Sequence, residues 1–329
     1  MNLEKIDAHS HFYPTYDGPD SPIEPYITEA KKLNVQVCVA SPGPCPIYRD
    51  DAQNIIVPCM WEHVEGQFHY VNKTFDPSGK VVLASLPASS NPYTNDNKRL
   101  IEEAKHNNIS NSIKICVMPL HHPKLDDIQE VRDLLHTRDV VAIKLHGIAT
   151  ATGPEDISFE IIKALLEVDK PIVVHTDTYI KTPTIPIHNI YQKNNPIKWV
   201  RWAIDTGVKT LLTHGARLSD EAIDLAKGHD NIVIGLAPAL IIMNSDKDRL
   251  SKPTTNFERD LMAKVPNSQL VFDIDYGWNV ADRNKWEVKD WKMCERLDTI
   301  AEELQMSKLN LKKIYYDNSV RFFKFDDNI

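Results

Sequence analysis

The sequence predicts an α/β fold, a (β/α)8 TIM barrel with an inserted loop region after its second strand. Short, nearly continuous apolar runs alternate with segments of helical length along most of the chain, which is typical of a parallel sheet covered by helices. Eight such runs are present, and eight units are the number that closes a barrel. The chain of 329 residues, 42% of them hydrophobic, can bury one large core, so we expect a single domain over residues 1–329.

An open, doubly wound sheet is the alternative architecture. It is less favoured, because no G-x-G-x-x-G pattern follows any of the predicted strands. That pattern is the usual sign of a nucleotide-binding doubly wound fold.

The first predicted strand is Ile6-Asp7-Ala8-His9-Ser10-His11-Phe12. Alternate side chains of a strand share a face, so His9 and His11 are expected to point the same way. Neutral imidazole is a common ligand of zinc and related metals. This strand end therefore predicts half of a divalent metal site.

The remaining elements follow in regular order along the chain. Apolar, β-rich runs predict strands, and amphipathic stretches between them predict helices. The predicted strands are 6–12, 35–40, 113–118, 140–147, 171–177, 209–215, 232–236 and 269–276. The predicted helices lie near 23–33, 96–107, 126–136, 157–168, 196–206, 219–228, 287–304 and 308–323, and a less regular helical stretch lies between 236 and 269.

Several of these strands end in residues that can bind a metal or move a proton. In a parallel barrel the carboxyl ends of all strands meet at one mouth. Six residues far apart in sequence are therefore expected to converge there: His9, His11, Lys144, His175, His214 and Asp275.

Residues 43–90 interrupt the alternation. They contain short apolar runs at 55–59 and 81–86 but no convincing amphipathic helix, so we predict an insertion with local strands near the barrel mouth. Long ordered loops often act as lids or binding loops. Arg49, Trp61 and His63, with His69 and Tyr70 nearby, suit an anionic or aromatic substrate. A surface hairpin without a role in binding is the alternative.

Charge and composition exclude several classes of function. The formal net charge of -8 argues against a nucleic-acid surface, so a small-molecule substrate is expected. No apolar run approaches the roughly 18 residues of a membrane span, and residues 1–5 do not resemble a signal peptide. We therefore expect a soluble, cytoplasmic protein with no membrane partner, and a homodimer remains open. The five scattered cysteines, without C-x-x-C spacing, favour buried free thiols, with a lone disulfide or a thiol ligand as alternatives.

These motifs together resemble the metal-dependent amidohydrolase superfamily, and within it the amidohydrolase-related branch that includes aminocarboxymuconate semialdehyde decarboxylase. The resemblance spans the whole chain. The sequence departs from the family in two respects: Asp273 stands where a small residue is usual, and Gly277 stands where a proline commonly follows the tyrosine. The resemblance rests on Asp7-Ala8-His9-Ser10-His11, Ile143-Lys144-Leu145-His146, the strand-end His175 and His214, Phe272-Asp273-Ile274-Asp275-Tyr276, and Tyr316-Asp317-Asn318-Ser319-Val320-Arg321-Phe322-Phe323.

The resemblance implies a ligand set and catalytic residues. The metal ligands would be His9, His11, His175 and Asp275. His214 would hydrogen-bond the substrate or a metal-bound water, so that Asp275 and His214 form the catalytic pair. Such a donor set leaves an open position at which a metal lowers the pKa of water. One zinc ion per chain is expected, with manganese or a binuclear centre as alternatives.

The role of Lys144 depends on the number of metals. On the family's two-metal branches a carbamylated lysine at this strand end bridges the ions. With one metal, an uncarbamylated Lys144 would be repelled by the dication, so we expect it to pair with a carboxylate such as Asp273.

The expected activity is hydrolysis of a C–N, lactone or ester bond in a small anionic substrate. The alternative is a lyase, a non-oxidative decarboxylase that uses the same metal centre and binds the substrate carboxylate with Arg49 or Arg217. A barrel that only binds is a third hypothesis. It predicts missing ligands, and none of the expected ligands is missing.

Overall fold

The structure is a computed structural model of the 329-residue chain. It describes residues 3–12, 23–42, 48–49, 55–64, 67–76, 78, 80–87, 93–106, 109, 111–118, 128–147, 153–176, 190–237, 255–275 and 292–325.

The predicted barrel is confirmed. Its strands in the described part of the chain are β1 (Lys5–Phe12), β2 (Val35–Pro42), β7 (Ile113–Val117), β8 (Val140–Leu145), β9 (Ile172–Val174), β10 (Thr210–Leu212), β11 (Ile232–Gly235) and β12 (Leu270–Val271). They form one parallel sheet in this order. The amide of Ala8 donates to Phe272 O at 2.9 Å and the amide of Asp275 donates to His9 O at 2.9 Å. These two bonds join the last strand to the first and close the barrel.

Helices follow the barrel strands as predicted. They are α1 (Ile23–Lys32), α2 (Tyr93–His106), α3 (Ile128–His136), α4 (Phe159–Val168), α5 (Pro196–Thr206), α6 (Asp220–Ala226), α7 (Thr255–Lys264), α8 (Lys292–Glu303), α9 (Lys308–Lys312) and α10 (Asn318–Phe323). The predicted helix 308–323 differs in one respect, because a π-helical turn, Lys313–Asp317, separates α9 from α10. Ile314 O, in that turn, accepts a hydrogen bond from Phe272 N at 3.0 Å.

Apolar side chains form two layers, one inside the barrel and one between its strands and helices. Ile6 and Val233 belong to the inner layer, which also contains Phe322 and Phe323 from the last helix. Asn318, in the same helix, donates to Leu270 O at 2.6 Å. Since Leu270 begins β12, these aromatic rings close the end of the barrel opposite the strand carboxyl ends.

A bulge in β1 decides which side chains enter the barrel. Between Asp7 and Ser10, three residue steps of β1 match two of β2. Ile6 and Ala8 pack inside the barrel, whereas Phe12 packs in the outer layer. With strict alternation His9 would point outward, so the extra residue is what turns His9 inward after Ala8.

The inserted region contains local strands, as predicted. They are β3 (Tyr48–Arg49), β4 (Ile55–Val64), β5 (Gln67–Phe75) and β6 (Val81–Pro87), which form an antiparallel sheet in sequence order. The proximity of this sheet to the barrel mouth stays a prediction.

Two further expectations concern the membrane and the thiols. In the described ranges, no helix combines the length and the apolar character needed to cross a bilayer. Cys38, Cys116 and Cys294 are free and buried, as expected. The side chains of Cys45 and Cys59 lie outside the described part of the structure.

Candidate metal centre

Three of the four predicted ligands meet at the carboxyl ends of β1 and β12. His9, His11 and Asp275 can each offer one ligand atom, and these atoms lie within 4.8 Å of one another. The two Nε2 atoms of His9 and His11 are 3.0 Å apart. Asp275 Oδ1 is 3.6 Å from His9 Nδ1 and 3.7 Å from His11 Nε2. We call this group the His9–His11–Asp275 centre.

The orientation of His11 is set by the end of β2. Its Nδ1 lies 2.8 Å from Pro42 O and 2.9 Å from Ser41 Oγ. Because a carbonyl oxygen only accepts, Nδ1 carries the proton and Nε2 keeps its lone pair. Metal-binding histidines are usually held in this way through their other ring nitrogen. His11 therefore presents a free lone pair to the centre.

The donor set fits a divalent cation. Burial, and then the charge of Lys144, lower the pKa of both His9 and His11 well below the ordinary value of 6.5, so both rings are neutral, as a ligand must be. Atoms bound at about 2.1 Å to one cation lie about 3.0 to 3.4 Å apart. The 3.0 Å between the two Nε2 atoms falls in this range, while Asp275 Oδ1 lies further away, 3.6 Å from His9 Nδ1 and 3.7 Å from His11 Nε2. In the described part of the chain, the buried His9 Nδ1 has no hydrogen-bond partner.

Lys144 contacts the centre directly. Its Nζ is 2.6 Å from His9 Nε2 and the side chain is fully buried. Burial lowers its pKa, while the charge of Asp275 opposes this shift. Among the described residues Lys144 makes no direct ion pair with Asp273, which accepts a hydrogen bond at 2.6 Å from the amide of Ala237. The two groups interact through their charges, each opposing the effect of burial on the pKa of the other. The partner of Lys144 is thus a candidate ligand.

Asp273 lies deeper in the barrel than Asp275. It is fully buried, whereas the side chain of Asp275 is 11% exposed, and burial raises the pKa of Asp273 to about 8. A Cβ at Gly235 would lie 2.3 Å from Asp273 Oδ2. Glycine at 235 therefore provides the space for this carboxylate.

The fourth predicted ligand, His175, belongs to a neighbouring group of histidines. Its Nδ1 is 2.9 Å from His214 Nε2, and its ring stacks on His146 with 3.9 Å between centroids. His214 Nδ1 in turn lies 3.8 Å from Asp275 Oδ2. Our site prediction omitted His146, although its position two residues after Lys144 places both on one strand face.

A left-handed turn directs His214 into the barrel. Leu211 packs inside and Leu212 outside, so a regular strand continued through His214 would point its side chain outward. Instead His214–Leu218 forms a helical turn in which His214 has φ +55° and the next residues are also left-handed. A Cβ at Gly215 would lie 2.5 Å from the ring of Phe257, so this position of the turn requires glycine for space.

The proposed substrate-binding residues are only partly located. Arg49 lies in β3, and Trp61 and His63 lie in β4, but their side chains are outside the described part of the structure. Arg217 is exposed, in the left-handed turn that begins at His214. The substrate contacts of all four residues remain predictions.

Fold and site together define a (β/α)8 barrel with a candidate divalent-metal centre at its mouth. Among solved structures, it is similar to 2,6-dihydroxybenzoate decarboxylase from Rhizobium (TM-score 0.60, 10% identity, 98% of this chain and 99% of that chain). The chain is also similar to 5-carboxyvanillate decarboxylase from Novosphingobium aromaticivorans, which was solved with manganese and 4-hydroxy-3-methoxy-5-nitrobenzoic acid (TM-score 0.51, 11% identity, 98% of this chain and 96% of that chain).

A third similar structure concerns organophosphate hydrolysis engineered from a weak promiscuous lactonase template (TM-score 0.52, 12% identity, 98% of this chain and 96% of that chain). No family model matches the sequence, and no curated protein is similar to it in sequence. At these identities the structural similarity establishes the shared barrel fold.

Proposed function

We propose that this chain is a metal-dependent decarboxylase of the amidohydrolase superfamily that acts on a small, aromatic carboxylic acid. The observation that carries the proposal is the His9–His11–Asp275 centre at the mouth of a barrel. Two decarboxylases share this fold, and one of them was solved with manganese. The lyase that was our alternative is therefore preferred to the hydrolase that we first expected.

His9, His11 and Asp275 would hold the metal, with His175 as the proposed fourth ligand. A divalent cation bound there would supply positive charge that attracts and orients the carboxylate of the substrate. Nitrogen and oxygen donors suit both zinc and manganese, so the expectation of zinc remains a prediction.

Asp275 and His214 are placed to move the proton that decarboxylation requires. As the carbon–carbon bond to the carboxylate breaks, its electron pair stays on the substrate carbon and carbon dioxide leaves. That carbon would take a proton from His214 or Asp275, whose Nδ1 and Oδ2 atoms are 3.8 Å apart. Water then returns a proton to the pair, so the sum is loss of carbon dioxide from the acid.

The surroundings of this pair strengthen its electrostatic interactions. His214 is 1% exposed, and His9, His11 and His175 are at most 2% exposed. Charges and dipoles interact more strongly in such a buried site than in water. The buried histidines thus help to exclude water from the reacting groups.

The test is decarboxylation in deuterated water. The protein, loaded with Mn²⁺ or Zn²⁺, is incubated with a panel of hydroxybenzoates, and released carbon dioxide is measured. We expect one deuterium at the carbon that carried the carboxylate, no reaction after chelation, and a rate about a hundredfold or more lower in His214→Ala. If no acid in the panel releases carbon dioxide with either metal, the proposal is wrong for this substrate class.

Hydrolysis is the second candidate, supported by the similarity to a fold on which lactonase activity occurs. Here Asp275 would accept a proton from the attacking water, and His214 would polarise the bond that breaks. In ¹⁸O-labelled water a hydrolase incorporates the label into its organic product, whereas the organic product of a decarboxylase stays unlabelled. A lactone and ester panel assayed in this water distinguishes the two activities.

A further inference from the structure

We propose that Asp7 is a positioning residue, whose carboxylate fixes His9 and Asp275 relative to each other from the outer side of the barrel wall. The inference rests on the proposed metal centre and assigns a residue that lies outside it. Asp7 is fully buried.

One oxygen of Asp7 bridges the two strands that carry the ligands. Oδ1 accepts from the amide of Ile274 at 2.9 Å and from the amide of His9 at 3.3 Å. Ile274 directly precedes Asp275. This single oxygen therefore holds the backbone of His9 and the backbone of the residue before Asp275. It does so where β1 and β12 meet and close the barrel.

The other oxygen fixes the carboxylate in place. Oδ2 accepts from Ser10 Oγ at 2.5 Å, from Tyr26 Oη at 2.7 Å and from the thiol of Cys38 at 3.5 Å. Tyr26 belongs to α1 and Cys38 to β2. The carboxylate of Asp7 is therefore bonded to α1 and to β2 as well as to β1. These bonds hold it in place independently of the metal ligands.

Asp7 also stabilises the bulge that turns His9 inward. The bulge lies between Asp7 and Ser10, and the Asp7 side chain bonds to the His9 amide and the Ser10 hydroxyl within it. These bonds satisfy groups that the interrupted strand pairing does not. Loss of this acceptor would favour a regular strand, in which His9 faces away from the centre.

Asp7 contributes through the position of its oxygen atoms rather than through its negative charge. Asn keeps an acceptor oxygen at the same place and removes the charge. Glu keeps the charge and displaces the oxygens by one methylene. These two substitutions therefore separate positioning from simple electrostatic attraction of a cation.

The experiment measures Mn²⁺ affinity of the metal-free full-length protein by the loss of the free-ion EPR signal. We expect Asp7→Asn to stay within about threefold of wild type and Asp7→Glu to bind at least tenfold more weakly, in the range typical for residues that orient ligands. The bound-Mn²⁺ spectrum should change in Asp7→Glu alone. Equal affinities for wild type and Asp7→Glu, or an Asp7→Asn as weak as Asp7→Glu, would overturn the inference.

Asn318→Ala is the matched control. It removes the bonds from Asn318 to Leu270 O and Asn267 O at the other end of β12, so it should lower stability without changing Mn²⁺ affinity. If Asp7→Glu does not fold, Tyr26→Phe, which removes one Oδ2 donor, should still weaken Mn²⁺ binding a few-fold, and an unchanged affinity overturns the inference. A wild-type protein that binds no Mn²⁺ refutes the metal centre itself, and the inference with it.

Discussion

Asp275 joins the two halves of the candidate site. Its Oδ1 is 3.6 Å from His9 Nδ1 and 3.7 Å from His11 Nε2, while its Oδ2 is 3.8 Å from His214 Nδ1. One carboxylate thus reaches both the candidate ligands and the candidate proton-transfer residue. Its φ of +56° is uncommon for a residue other than glycine, and such strain is often found at functional sites.

The two carboxylates at the end of β12 are expected to differ in role. Asp275→Asn should lose both bound metal and at least about a hundredfold in activity, because it removes a ligand and a proton acceptor. Asp273→Asn should keep the metal, because Asp273 is held by the amide of Ala237. Metal analysis and turnover of both variants check this. An inactive Asp273→Asn beside an active Asp275→Asn would reverse the assignment.

His11 and His214 are expected to separate metal binding from proton transfer. His11→Ala should lose metal and activity together, since its Nε2 lone pair faces the centre. His214→Ala should keep the metal and lose about a hundredfold or more in rate, the usual contribution of a general acid–base residue. Metal content and turnover are measured on the same preparations. Equal loss of metal in both variants would make His214 a ligand instead.

At the scale of elements, two irregular backbone segments build the site. The bulge in β1 turns His9 inward, and the left-handed turn after β10 does the same for His214. Strand periodicity predicted that His9 and His11 share a face, but it could not predict which face, since a bulge shifts the alternation without changing the residue pattern. The inserted strands were predicted from short β-rich runs, which are local signals.

The glycine in the left-handed turn is expected to be essential. Gly215→Ala adds a left-handed alanine and places a Cβ 2.5 Å from the Phe257 ring, so it should destabilise by about 2 to 4 kcal/mol and lower activity by displacing His214. Gly207→Ala is the matched control, because Gly207 has φ +75° but no atom near its Cβ. It should lose only about 1 kcal/mol. Urea unfolding measures both variants. Equal losses in the free energy of unfolding for Gly215→Ala and Gly207→Ala would show that contact with Phe257 is unimportant.

At the scale of the whole molecule, the barrel brings together residues that are far apart in sequence. Convergence of His9, His175, His214 and Asp275 followed from the rule that strand ends meet at one mouth. The contact of Lys144 with His9 did not follow, because side-chain packing inside a barrel depends on neighbours from several strands. The same limit applies to His146, which stacks on His175.

Burying these neutral histidines should make the metal-free protein sensitive to acid. Burial lowers the pKa of His9, His11, His146 and His175, so below pH 6.5 the unfolded chain binds protons that the folded chain does not. Burial also raises the pKa of Asp7 to about 6 and that of Asp273 to about 8, which offsets up to two of these four protons.

The difference in bound protons between the unfolded and the folded chain, summed over these six groups, grows from about one at pH 6.5 to about two near pH 5. The free energy of unfolding should therefore fall by about 1 to 3 kcal/mol per pH unit over this range. Urea unfolding of chelator-treated protein at several pH values measures this slope. The matched variant His146→Gln removes one of the four histidines, so it should lower the slope by the contribution of about one proton. A stability that is flat or rises as the pH falls through this range would show that the histidines are not buried in their neutral form.

The most direct measurement of the central claim is anomalous X-ray diffraction from crystals grown with Mn²⁺. We predict one anomalous peak per chain, bounded by His9, His11 and Asp275, with Lys144 unmodified. A crystal without density at that position would contradict the metal centre. A second peak of similar height between Lys144, His175 and His214 would contradict the single-metal assignment.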